Sequence, residues 1–123
     1  MTETCKISPP NSLIFISDRD GGVPPEPVLG PLILSTSSCI SVGCLAEMDG
    51  ETEITLGAAG SVAPNGPPAF DGDLETPSGV VVVSTVEYEE VLCASTPTPR
   101  TRVRIWINRP REPDRIVIGL GLR

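Results

Sequence analysis

Histidine is missing from all 123 residues. That excludes Ser-His and Cys-His nucleophile pairs, imidazole acid–base chemistry and every zinc site built on an imidazole. Aromatic side chains are nearly missing too. Phe15, Phe70, Tyr88 and Trp106 are the full set, so any core must be aliphatic. No run approaches the roughly 18 apolar residues that span a bilayer. The opening Met-Thr-Glu-Thr-Cys-Lys-Ile-Ser-Pro-Pro lacks the apolar centre of a signal peptide. Positive charge is scarce over residues 1–99, where Lys6 and Arg19 face fourteen carboxylates.

The residues that are present describe a chain of strands and turns. It is 39% hydrophobic and 20% charged, too apolar for a disordered protein. A chain of this length buries about two-thirds of its unfolded surface and needs neither metal nor disulfide to fold. Fourteen prolines and twelve glycines imply many turns and few long helices. Cys5, Cys39, Cys44 and Cys93 contain no C-x-x-C pair. They read as buried free thiols of a soluble, reduced, cytoplasmic protein with no metal and no cofactor.

Apolar residues recur with a period of two. Leu13-Ile14-Phe15-Ile16 is a short strand ended by Asp18-Arg19-Asp20-Gly21-Gly22, and a loop stiffened by Pro24, Pro25, Pro27 and Pro31 follows. Leu32-Ile33-Leu34 is a brief strand. Asp49-Gly50, between Ile40–Met48 and Glu51–Gly57, carries the signature of a type I′ hairpin turn. Residues 58–69 read as a loop and Phe70 to Thr76 as a further strand. Val80 to Tyr88 begins apolar on both faces, as in an interior strand, and residues 92–101 read as a connection. Val103, Ile105 and Ile107 alternate with Arg102, Arg104 and Trp106. After a turn at residues 109–114, Ile116, Ile118, Leu120 and Leu122 form a last inward set. The expected class is all-β, a single-domain antiparallel β-sandwich of about six to eight short strands. It spans residues 1–123, with residues 1–11 a flexible N-terminal segment.

Seven arginines crowd into residues 100–123 against Glu112 and Asp114. Three arrangements accommodate an acidic body with a basic end: acidic and basic strands paired in one sheet, a cationic partner for the body, or an anionic partner for the end. Asp18-Arg19-Asp20-Gly21-Gly22 has the opening acids of a calcium loop without its third oxygen ligand or closing Glu, and reads first as an Asx turn. Phe70-Asp71-Gly72-Asp73-Leu74-Glu75 reads first as a turn or edge strand. Glu87 and Glu89, two apart, fall on one strand face, where they are solvated. Paired carboxylates of that kind would also be needed by a hydrolase. Arg102, Arg104 and Trp106 share an outward face suited to stacking on bases, but an acidic protein with a pI near 4.4 repels a polyanion over most of its surface. Nucleic acid is therefore not the expected partner, and neither is a membrane.

From Phe70 onward the order of strands and turns resembles a known family. Phe70 to Thr76 leads into Gly79-Val80-Val81-Val82-Val83-Ser84-Thr85. Then come Glu89-Glu90-Val91-Leu92, a Pro-containing turn, Thr101 to Trp106, and Asp114-Arg115-Ile116-Val117-Ile118. The layout is similar to that of the competence nuclease inhibitors, the ComJ-like family, and extends over residues 12–122. The turn Thr96-Pro97-Thr98-Pro99-Arg100 departs from the glycine-centred turn of that pattern, and no motif transfers a functional residue. The resemblance implies a small cytoplasmic β protein that binds and restrains a DNA-entry nuclease. The acidic body is independently suited to a basic protein partner, a nuclease or toxin. The expectation is a non-catalytic inhibitor or immunity-type protein that presents Asp18, Asp20, Glu26, Glu51, Glu53, Asp71, Asp73 and Glu75. The alternative is an assembly module that self-associates through edge strands and complementary charge.

Overall fold

The computed structural model describes residues 2–28 and 30–121. In chain order the strands are β1 (Glu3–Ile7), β2 (Leu13–Asp18), β3 (Ile33–Ser35), β4 (Cys39–Gly43), β5 (Thr52–Ala58), β6 (Phe70–Glu75), β7 (Val80–Thr85), β8 (Glu90–Ser95), β9 (Arg100–Ile107) and β10 (Arg115–Leu120). A one-turn helix, α1 (Ala59–Val62), follows β5. The strands form two five-stranded sheets. Sheet A runs β1-β5-β10-β9-β6 and sheet B runs β3-β4-β2-β7-β8. All pairs are antiparallel except β5 with β10.

The period-two alternation becomes the inter-sheet core. Ile14 and Ile16 on β2, Ile40 and Val42 on β4, and Val81 and Val83 on β7 point inward from sheet B. Ile54 and Leu56 on β5, Val103 and Ile105 on β9, and Ile116 and Ile118 on β10 meet them from sheet A. All twelve are at most 1% exposed. Each such aliphatic side chain contributes about 1.5–3 kcal/mol on transfer from water, an upper estimate because the unfolded chain is already partly collapsed. No aromatic residue belongs to this fully buried set.

The sandwich is as expected from the sequence, with ten strands where six to eight were read. Residues 3–7, assigned there to a flexible segment, instead pair antiparallel with β5. Their side chains Thr4, Cys5 and Lys6 carry little apolar signal because β1 is an edge strand and Cys5 and Ile7 are its two inward contributions. Residues 90–95, at the border of a presumed connection, form β8. The Asp49-Gly50 hairpin does not form. β4 pairs with β2 and β3 in sheet B, whereas β5 pairs with β1 and β10 in sheet A, so the segment crosses between sheets. Gly50 does have a positive φ of 136°, but with ψ −168° it lies in a region open essentially to glycine and far from a type I′ turn. Glu87 and Glu89 lie in the turn between β7 and β8, not on a strand face. Leu122 lies outside the described residues. No helix among the described residues is long and apolar enough to cross a membrane.

Candidate functional site

The acidic and basic segments meet inside one sheet. On the outer face of sheet A, Asp71, Asp73 and Glu75 of β6 stand opposite Arg104, Arg102 and Arg100 of β9. Arg102 grips Asp71 through two hydrogen bonds, from Nε to Oδ1 at 2.8 Å and from the second guanidinium nitrogen to Oδ2 at 2.6 Å. These bonds hold the Asp71 carboxyl below the usual carboxylate range. Arg104 donates to the Gly121 carbonyl at 3.1 Å. The first of the three charge arrangements is therefore realised, and these acids meet cations of their own chain.

The other acids named from the sequence disperse. Asp18 is 2% exposed and is not a surface carboxylate. Its Oδ2 accepts from the Asp20 N–H at 2.9 Å, and its Oδ1 accepts from the Ser78 N–H at 3.1 Å and the Ser78 hydroxyl at 2.8 Å. That is the Asx turn expected of this sequence, extended to tie the β6–β7 turn to the end of β2. Three hydrogen bonds to the side chain offset its burial, whereas a partner protein would find little of it to touch. Glu53 lies 3.7 Å from Arg115 in the parallel ladder. Asp20, Glu26 and Glu51 are exposed. No three acidic or thiol side chains among the described residues gather as metal ligands.

Trp106 is also withdrawn from the surface. It is outward on β9 yet only 7% exposed, because residues 59–69 fold across that part of sheet A. Its indole N–H donates to the Gly66 carbonyl at 3.1 Å. Ala59, fully buried, packs where Gly119 on β10 has no side chain. The Arg102, Arg104 and Trp106 face therefore offers no free indole for stacking on a base.

Sheet B has a different outer face. β2 presents Leu13, Phe15 and Ser17; β4 places Ser41 and Cys39 beside the last two, and β7 adds Ser84 and Val82. None of these seven side chains is charged; Cys39, Ser41, Val82 and Ser84 are buried, and Leu13, Phe15 and Ser17 are partly exposed. Carboxylates stand on the loops at the ends of these strands. Asp20 and Glu26 stand on the loop joining β2 to β3, and Glu87, Glu89 and Glu90 surround the β7–β8 turn. In that turn Tyr88 is 77% exposed and held at φ 62°, an uncommon conformation for a bulky residue. Thr85 maintains it: its carbonyl accepts from the Tyr88 N–H at 2.9 Å and its hydroxyl accepts from the Glu87 N–H at 3.2 Å. Only Asp20 and Glu26 of these acids were expected from the sequence to bind a partner, and Glu87 and Glu89 were read there as a solvated pair on a strand. The uncharged sheet face itself was not legible, since it takes its residues from strands far apart in the chain.

No protein-family model matches the chain, and no curated protein matches it. Among solved structures it is similar to "ComJ, inhibitor of the DNA degrading activity of NucA, from Bacillus subtilis". The TM-score is 0.70 at 11% identity, over 98% of this chain and 96% of that one. It is also similar to "Crocagin biosynthetic gene J", with a TM-score of 0.57 at 16% identity over 98% and 97% of the two chains. The likeness to the ComJ-like layout noted from strand order holds at the level of the fold.

Proposed function

We propose that this chain is a non-catalytic protein that binds and inhibits a DNA-degrading nuclease. The observation that carries the reading is the correspondence with ComJ from one end of each chain to the other, at a TM-score of 0.70. The absence of histidine supports it, because the commonest acid–base group of hydrolases is missing. The docking surface in this reading is the outer face of sheet B. Its uncharged, partly exposed centre of Leu13, Phe15 and Ser17 provides contact area, and Asp20, Glu26, Glu87 and Glu89, on the loops at the strand ends, steer a basic partner. Asp71 contributes less, since Arg102 already pairs with it, and Asp73 and Glu75 stand opposite Arg102 and Arg100 in the same ladder. That internal pairing also argues against self-assembly through complementary charge, because Arg102 already has its carboxylate.

The test is affinity capture from the source lysate at low and at high salt, with DNA digestion measured on the captured fraction. A captured nuclease that is silent at low salt and recovers when released by high salt supports the proposal. Captured proteins without nuclease activity, or a nuclease indifferent to added free chain, would reject it.

A further inference from the structure

The two sheets part at one end of the sandwich, where the ends of β5 and β10 and the start of β9 face the end of β8. An open cavity of about 1120 Å³ lies between them. Leu56 and Leu120 from sheet A and Val80 and Ala94 from sheet B contribute apolar wall. Small-molecule pockets run from roughly 300 to 1,000 Å³ and combine such walls with a few polar groups that fix orientation. This cavity is slightly larger than that range.

Polar groups are present at its rim. Arg19, Arg100 and Arg102 line it, against the carboxylates of Glu3 and Asp73. Two of the three guanidiniums are engaged elsewhere, Arg102 with Asp71 at 2.6 Å and Arg19 with Glu90 at 3.4 Å. Arg100 is exposed and, among the described residues, has no carboxylate within 4.0 Å, although Glu75 is its register partner. Thr96, also on the wall, has a hydroxyl oxygen that is buried and without a hydrogen-bond partner. That oxygen is closed off from solvent, so Arg100 is the polar group a ligand in the cavity can reach.

We infer that this cavity binds a small amphipathic carboxylate of the medium-chain fatty acid class. The hydrocarbon chain lies between the Leu56–Leu120 and Val80–Ala94 walls, and the carboxylate sits at the rim on Arg100, within the reach of a charge-assisted, bidentate contact. The inference does not depend on the nuclease reading.

The experiment compares decanoate with decanol, which has the same tail and no charge, by titration calorimetry and by backbone amide shifts of the full chain. Decanoate is expected to bind once per chain and about tenfold or more tightly than decanol. Arg100→Ala, at an exposed position, should erase that preference without changing the melting temperature. Ala94→Trp should abolish binding of both, with circular dichroism checking that it folds. In the wild type, amide shifts should concentrate at Gly57, Ala94, Thr96 and Thr101, a readout that needs no variant. The inference is overturned if decanoate gives no saturable heat up to about 1 mM, if decanol binds equally well, or if the shifts lie elsewhere.

Discussion

Arg102 bonds diagonally to Asp71, two residues along β6 from Asp73, which stands directly opposite it in the ladder. Among the described residues Asp73 makes no ion pair of its own, although its charge still strengthens the hold on the guanidinium. The diagonal bond makes Asp71 the carboxyl whose ionisation is most tied to folding.

The sign follows from that shift. The Asp71 pKa is lowered in the folded state, chiefly by the hydrogen bonds from Arg102. Its contribution to stability is therefore fully present above the ordinary carboxylate range, about pH 4, and is lost as pH falls through the lower folded value. Urea midpoints of wild type and Asp71→Asn should differ at about pH 7 and converge near pH 2. A constant gap at both pH values would assign the effect to packing.

The thiols should react in two classes. Cys39 and Cys44 are 2% and 3% exposed, and burial pushes each thiol up to about 11, so almost no thiolate exists at neutral pH. Cys93 and Cys5 are only partly buried and all four are free. Timed alkylation with mass spectrometry should label Cys93 and Cys5 first, and Cys39 and Cys44 only at the rate of unfolding. Reductant should leave the melting temperature unchanged.

Gly119→Val should lift the 59–69 segment from sheet A. A β-carbon at Gly119 would lie 2.9 Å from the Ala59 α-carbon and 3.1 Å from the Trp106 ring. Overpacking of this kind costs about 1–3 kcal/mol. Because Trp106 is the sole tryptophan, its emission should shift to the red as the segment detaches. A destabilised variant with unshifted emission would mean that the strand, not the segment, gives way.

Charge reversal separates the two acidic regions. Asp20→Lys with Glu26→Lys should slow association with a captured nuclease, and the wild-type on-rate should fall as salt rises from about 0.05 to 0.5 M. Reversing Asp71, Asp73 and Glu75 together should instead lower the melting temperature, because lysines would then face Arg104, Arg102 and Arg100. An on-rate that responds only to the second set would move the docking surface to sheet A.

Local periodicity was sufficient wherever a strand lies inside a sheet. Val80 to Val83 and the Arg102 to Ile107 alternation read directly as β7 and β9, because β7 is buried on both faces and Val103, Ile105 and their outward neighbours follow the period of two. The Asx turn at Asp18 was equally local. Misreadings occurred where the deciding contact is distant in sequence. Asp49-Gly50 resembles a hairpin until β10 claims the neighbouring position to β5, and β1 is nearly silent because an edge strand needs few apolar residues. Asp18 looked exposed because Ser78, which buries its carboxylate, lies sixty residues away. Trp106 looked free because its cover, from Ala59 to Gly66, carries no hydrophobic pattern of its own.

The placement of β10 has a consequence for the order in which the protein can be made. It is the last strand in the chain, yet it lies third of five in sheet A, between β5 and β9. Sheet B needs nothing beyond Ser95 and can close while the ribosome is still adding residues. Once Ile107 has been added, sheet A is two unjoined ribbons, β1 with β5 and β6 with β9, each with an open inner margin. Residues 115–120 close both margins in one step, so a stall or deletion there leaves half of the sandwich with sticky edges rather than a slightly shortened protein.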